Sequence, residues 1–106
     1  MNDLSVEQAR EVLANDCLGM GQLIDEHGWT CAVGALATAL GWDQYNYARD
    51  AYDLVSAWFA NHGRSGVDAA RSLARVNDTH YYREPRVKAV LAWFDEQFPP
   101  KLEPWS

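Results

Sequence analysis

The chain has 106 residues and a mass of 12.0 kDa, which suits one domain that buries a core without disulfide staples. Apolar residues make up 48% of it, a content that excludes a disordered segment. With 15 acidic residues against 9 basic ones the formal net charge is −6, which argues against direct nucleic-acid binding because phosphates need a basic surface.

Residues 1–10 lack a basic start followed by a long apolar run, so no secretory signal is predicted. No window approaches the roughly 18 consecutive apolar residues of a membrane span. We therefore expect a cytoplasmic protein that contacts no membrane. Cys17 and Cys31 are too few for a disulfide framework, and a reducing cytosol would keep both as thiols.

The first helix is predicted to begin after Ser5, whose hydroxyl caps the first turn while Gln8 reaches back as its capping-box partner. It should end near Asn15. A short second helix over about 20–27 is predicted to stop at Gly28, since glycine accepts the left-handed conformation of a helix C-terminus.

A third helix is predicted from Thr30, as its cap, to Leu40, with Gly41 ending it. Thr38 is its only polar side chain after the first turn. A helix that is apolar all round is buried all round. We therefore expect the segment 30–40 to be the central helix of the domain.

Three further segments carry apolar residues at helical spacing. One runs from Asp43 to about Asn61, with its stop at Asn61-His62-Gly63. Another opens at Ser65 and should end in a loop over 77–82, with inward residues Val67, Ala70, Leu73 and Ala74. The last is expected to have Pro85 at its first position and a stripe of Val87, Val90, Leu91, Phe94 and Phe98.

No segment alternates apolar and polar residues as a half-buried strand would. The sequence thus predicts an all-α domain over 1–98, a bundle of five to six helices around the helix at about 30–40. Pro99 and Pro100 end the last helix. Residues 99–106 should form an extended C-terminal tail that carries Trp105.

Two short motifs resemble a known family. They are the segment 31–36, Cys-Ala-Val-Gly-Ala-Leu, preceded by Gly28, and the segment 73–78, which ends in Asn-Asp and is followed by Arg83. The chain is similar here to small actinobacterial and actinophage proteins grouped as a domain of unknown function. The resemblance covers roughly residues 22–41 and 73–96. It implies a phage or actinobacterial origin and no particular chemistry.

Cys31 is open to two interpretations. On the first turn of a helix the dipole favours a thiolate, so Cys31 could be the nucleophile of a hydrolase-like enzyme, with His80 or His27 as the base and Asp78 or Asn77 as the orienting group. In the second interpretation Cys31 fills the core, because free cysteine is among the most buried residue types. We favour the core interpretation.

A metal or cofactor site is not expected. Cys17, His27, Cys31 and His80 are competent zinc ligands, but no pair has the close spacing of a zinc site. The pair Asn77–Asp78 is interpreted as a polar lock and turn in which Arg83 or Arg86 ties the loop to the last helix.

Several aromatic residues fall outside the apolar stripes, near loops or helix starts. Tyrosine and tryptophan on a surface anchor protein interfaces, although these residues could instead close the ends of the bundle. They are the expected partner-binding residues if they are exposed together: Tyr45, Tyr47, Tyr81, Tyr82 and Trp105.

The sequence therefore predicts a small acidic protein-binding module, phage-encoded or phage-related, that inhibits or modulates a host protein by direct contact. Mimicry of the DNA backbone ranks lower because the acids are dispersed through amphipathic helices. Two alternatives remain open. One is the Cys31-dependent enzyme, and the other is a homodimeric regulatory or antitoxin-like protein whose aromatic residues face a second copy.

Overall fold

The computed structural model describes residues 4–15, 31–43 and 47–99. Within these ranges the chain is all-helical, as predicted, and no strand is present. The predicted helix at 20–27 lies outside the described residues. Five helices are described: α1 (Val6–Asn15), α2 (Ala32–Ala39), α3 (Ala48–Asn61), α4 (Gly66–Thr79) and α5 (Arg83–Gln97).

The start of α1 is the predicted capping box. The Ser5 amide donates to Gln8 Oε1 at 2.9 Å, and the Gln8 amide donates to Ser5 Oγ at 3.1 Å. Two amides that have no partner inside the helix are thereby satisfied. Ala9 and Leu13 are the buried residues of α1 and face the core.

Helix α2 begins at Ala32 with Cys31 at its N-cap, so the prediction that Thr30 caps it is wrong. Its residues are buried from Ala32 to Ala37. Gly41 ends it as predicted, with a φ of 108°. The Trp42 amide donates to the Ala37 carbonyl at 2.9 Å and the Gly41 amide to the Thr38 carbonyl at 3.0 Å, the two bonds of a Schellman motif.

Helix α3 begins at Ala48, five residues later than predicted from Asp43. The reason lies in Trp42, whose side chain turns into the core at 6% exposure while its indole N–H donates to the Tyr47 carbonyl at 3.1 Å. Tyr47 itself is extended, with φ −67° and ψ 146°, so the helical path begins only after it. The predicted stop holds, because Gly63 has a φ of 82° and closes the helix.

Helix α4 follows Ser65 as predicted, but it continues to Thr79, so the predicted loop over 77–82 is too long by three residues. Asn77 does not end the helix because its side chain bonds another element instead of its own backbone. Val67 is 58% exposed, which contradicts its predicted inward position, and Ala69 is buried instead. At Gly66 a Cβ would lie 2.2 Å from the Ser56 carbonyl oxygen, so α3 and α4 touch there backbone to backbone.

Helix α5 begins at Arg83, which puts Pro85 at the third helical position instead of the first. Proline is tolerated there because the first amides of a helix have no intrahelical acceptor. Val90 and Phe94 are buried, and Val87, Leu91 and Phe98 are half-buried against the core. The predicted tail begins with Pro99, and residues 100–106 lie outside the described part.

The α3–α4 pair is antiparallel, since only the turn 62–65 joins the two helices and they pack along their length. Helix α2 packs against α1, α3 and α4, and α5 packs against α1 and α4. The start of α3, the end of α4 and the start of α5 therefore share one end of the bundle. None of the helices in the described ranges has the length and apolar character that a membrane span requires.

Candidate functional site

Cys31 is a buried thiol at the start of α2. Its side chain is 6% exposed, and its Sγ accepts a hydrogen bond from the Gly34 amide at 3.4 Å. Burial raises the pKa of the Cys31 thiol and the Asp78 carboxylate raises it further, while the Gly34 and Val33 amides lower it, with a net upward shift. An activated nucleophile needs the opposite shift, so this thiol is neutral near pH 7.

The other two residues of the hypothesised enzyme site lie at the end of α4. His80 follows the last turn, and Asp78 accepts a hydrogen bond from Asn77 Nδ2 at 3.1 Å. Within the described ranges, no hydrogen bond joins a histidine ring to Cys31; the His62 ring bonds the Trp58 carbonyl instead. His27, the alternative base, lies outside those ranges.

Asn77 joins α4 to α2. Its side chain is fully buried, and its Oδ1 accepts from the Ala32 amide at 3.0 Å. A helix N-terminus leaves its first amides without intrahelical acceptors, so the carboxamide serves as a cap supplied from another helix. The Asn77 side chain of the predicted polar lock therefore also holds α2, a contact that the sequence does not predict.

Arg86 ties the loop to the last helix, as predicted, by bonding backbone carbonyls. It is 5% exposed, although arginine is rarely buried, and its Nε donates to the His80 carbonyl at 3.0 Å. Its Nη2 donates to the Tyr81 carbonyl at 2.5 Å. One guanidinium thus fixes the backbone that carries Tyr81 and Tyr82.

Three of the predicted partner-binding residues are strongly exposed: Tyr47 at 80%, Tyr81 at 77% and Tyr82 at 73%. The Tyr81 and Tyr82 rings pack edge to face with their centroids 5.3 Å apart. The other two predicted residues, Tyr45 and Trp105, lie outside the described ranges. We call Tyr47, Tyr81 and Tyr82 the tyrosine surface.

The chain topology brings these tyrosines to one end of the bundle. Tyr47 precedes α3, and the other two follow α4, whose last turn lies beside the first turn of the antiparallel α3. Tyr52, in the second turn of α3, lies near Asp78 at the end of α4, which supports this placement. Burial is the main cause that raises the pKa of the Tyr52 hydroxyl, and the nearby Cys31 and Asp78 raise it further. Exposed rings on a fixed backbone lose little conformational entropy on binding, which favours protein contact.

Two grooves lie between helices of the described residues. The larger, about 730 Å³, lies between α1 and α5, where Arg10 and Asp95 pair through two hydrogen bonds of 2.8 and 2.9 Å. This hydrogen bonding with Arg10 lowers the pKa of Asp95. The second, about 330 Å³, lies between α3 and α4, and we call it the α3–α4 groove.

Within residues 4–15, 31–43 and 47–99, no three histidine, cysteine, aspartate or glutamate side chains lie close enough to hold a metal ion. Cys17 and His27, two of the four zinc ligands considered from the sequence, lie outside these ranges.

The Asn77–Ala32 hydrogen bond is not predicted by the sequence, because the two residues lie 45 positions apart and no local spacing pattern connects them. The tie of the loop to α5 through Arg86 is predicted, but its acceptors, which are backbone carbonyls, are not. The hydrophobic partners of α4 give no indication of them either. The sequence signal for both contacts is an asparagine or arginine at a position of the helical period that is otherwise apolar.

Comparison of the chain with protein-family models, with curated proteins and with solved structures finds no match in any of the three. The resemblance of the segments 31–36 and 73–78 to actinobacterial and actinophage proteins stays a prediction.

Proposed function

We propose that the protein is a phage-related binding module that inhibits or modulates a host protein by direct contact through the tyrosine surface. The observation that carries this proposal is the exposure of Tyr47, Tyr81 and Tyr82 at one end of the bundle. Tyrosine is enriched among the residues that dominate interface energies because its ring excludes water and its hydroxyl can pair. Three such side chains exposed at the same end of the bundle are the composition that an interface core favours.

The rigidity of the loop adds support. Arg86 donates to two carbonyls of the segment 80–82, and this bonding holds the Tyr81 and Tyr82 backbone in place before any partner arrives. A preorganised binding surface gives up less entropy in a complex. The buried thiol of Cys31 favours a binding function over the cysteine-dependent alternative.

The proposal is tested by affinity capture from an actinobacterial lysate and measurement of the captured protein's Kd. We expect replacement of Tyr81 and Tyr82 together by serine to weaken that Kd by at least about 30-fold, the effect of losing roughly 2 kcal/mol at an interface hot spot. Lys88→Ser serves as the control, because it changes an exposed side chain on α5 away from the tyrosines. Equal binding by all three proteins would refute the proposal.

The same assay separates the alternatives. A Cys31→Ala variant should retain the wild-type Kd, whereas a cysteine-dependent enzyme would lose its biological effect with that substitution. A homodimer would show a doubled mass by light scattering, and the Tyr81→Ser/Tyr82→Ser variant would restore the monomer.

A further inference from the structure

The α3–α4 groove combines apolar and basic groups in an otherwise acidic protein. Val67 and Ala70 of α4 supply its apolar side, and Tyr52 and Ser56 of α3 supply hydroxyls. Arg49 on α3 and Arg71 on α4 also line it. At Gly66 the backbones of α3 and α4 are in contact next to Ser56, and the groove lies beside that contact.

The two arginines are the first sign of a partner's chemistry. Within the described residues neither guanidinium forms an ion pair or a hydrogen bond, whereas Arg10 pairs with Asp95 across the other groove. One acidic residue, Asp53, lies in the same lining. The groove thus carries two positive charges and one negative charge, against −6 for the whole chain.

Val67 is the second sign. Apart from the three tyrosines it is the only large hydrophobic residue with a strongly exposed side chain in the described ranges, at 58%. A single exposed valine is ordinary on a protein surface. Here it lies in a groove whose floor is the buried Ala70, so it offers a place for one aliphatic side chain.

The groove also continues from the tyrosine surface. Arg49 lies two residues after Tyr47, in the first turn of α3, and Tyr52 follows in the second turn. A segment of a partner that contacts Tyr47 would therefore meet the α3–α4 groove along α3, with none of the five described helices between. The positive charge of the groove and its position next to the tyrosine surface together indicate the chemistry of that partner segment.

We propose that the α3–α4 groove binds an acidic, amphipathic segment of the partner protein. An aliphatic side chain of the segment packs on Val67 and Ala70, and its carboxylates pair with Arg49 and Arg71. Guanidinium groups recognise carboxylates through two parallel hydrogen bonds, which gives such a site direction as well as attraction. This inference rests on the proposed function and specifies the partner's chemistry.

Asp53 makes the groove selective. Its carboxylate repels an acid placed opposite it, so an uninterrupted run of acids fits less well than a segment with a neutral or basic residue at that position. The overall charge of −6 opposes an acidic ligand only at longer range, since salt screens charges beyond about 8 Å at physiological ionic strength. The local arginines therefore govern binding in the groove.

The test uses a fluorescein-labelled amphipathic peptide of about 16 residues, long enough to form a helix, with leucines on one face and glutamates elsewhere. Fluorescence anisotropy gives the Kd of the peptide. The changes in amide chemical shift of the isotope-labelled protein locate the contact. We expect shifts at Arg49, Ser56, Ala70 and Arg71, and a Kd that weakens with added salt. A matched peptide with lysine in place of glutamate should bind at least about tenfold more weakly.

The protein variant Arg49→Ala/Arg71→Ala should weaken binding of the acidic peptide by roughly tenfold or more, while Lys88→Ala, a basic residue exposed on α5, should change it little. Equal binding of the two peptides, or shifts confined to the α1–α5 groove or to the tyrosine surface, would overturn the inference. If a captured partner depends on Tyr81 and Tyr82 but not on Arg49 and Arg71, the groove proposal fails and the proposed function stands.

Discussion

Replacing Asn77 by alanine is expected to lower the free energy of unfolding by about 2–4 kcal/mol. The substitution leaves the buried Ala32 amide without its acceptor, and an unsatisfied buried donor alone costs about 1–3 kcal/mol. The rest comes from the cavity that replaces a fully buried side chain. Urea denaturation followed by circular dichroism measures the change.

Asn61→Ala is the matched control, because Asn61 is an exposed asparagine in the last turn of α3. It should change stability by no more than about 0.5 kcal/mol. If Asn77→Ala were equally mild, the carboxamide would not be the cap that holds α2 to α4. The reduced stability should also appear as faster amide hydrogen exchange in the first turn of α2.

Gly66→Ala is the second substitution with a large expected effect. Alanine ordinarily stabilises a helical position relative to glycine by up to about 1 kcal/mol. At this site the new Cβ would lie 2.2 Å from the Ser56 carbonyl oxygen, and a backbone atom cannot turn away as a side chain can. The helices must separate, so we expect a net loss of about 1–3 kcal/mol.

Thermal unfolding checks the sign as well as the size of the Gly66→Ala effect. Ser65→Ala is the control at the neighbouring exposed residue, whose hydroxyl bonds the Asp68 side chain at 3.1 Å and caps no backbone amide. It should be nearly neutral. A rise in Tm for Gly66→Ala would mean that α3 and α4 do not approach each other this closely.

The sequence predicted features that depend on neighbouring residues. Ser5 and Gln8 sit three residues apart, and that spacing alone fixes the capping box that begins α1. Gly41 and Gly63 end α2 and α3 because a left-handed residue is needed wherever a helix closes in this way. The all-helical class likewise followed from the period of the apolar residues.

Features that depend on distant residues were predicted poorly. The start of α3 was misplaced because the Trp42 indole is buried and bonds the Tyr47 carbonyl. Val67 fits the apolar period of α4, yet the close contact at Gly66 leaves Ala69 and Ala70 facing inward instead. Asn77 has the composition of a turn, but its acceptor oxygen finds a donor 45 residues away and the helix continues.

The candidate site shows the same division. Unpatterned aromatic residues at 47, 81 and 82 could be picked out from the sequence because they break the helical stripes. Their shared location required the antiparallel packing of α3 and α4. The α3–α4 groove could not be predicted, since Arg49 and Arg71 belong to different helices and no spacing rule connects them.

Cys31 lies in the interior as part of the packing, and alkylation tests this directly. Native protein is treated with iodoacetamide near pH 8, and peptide mass mapping reads Cys31 separately from Cys17. Because burial leaves the Cys31 thiol neutral and covered, we predict that it stays unmodified in native buffer and reacts fully in urea. Rapid modification of Cys31 in the native protein, increasing with a transition well below pH 8, would contradict the account and favour the enzyme.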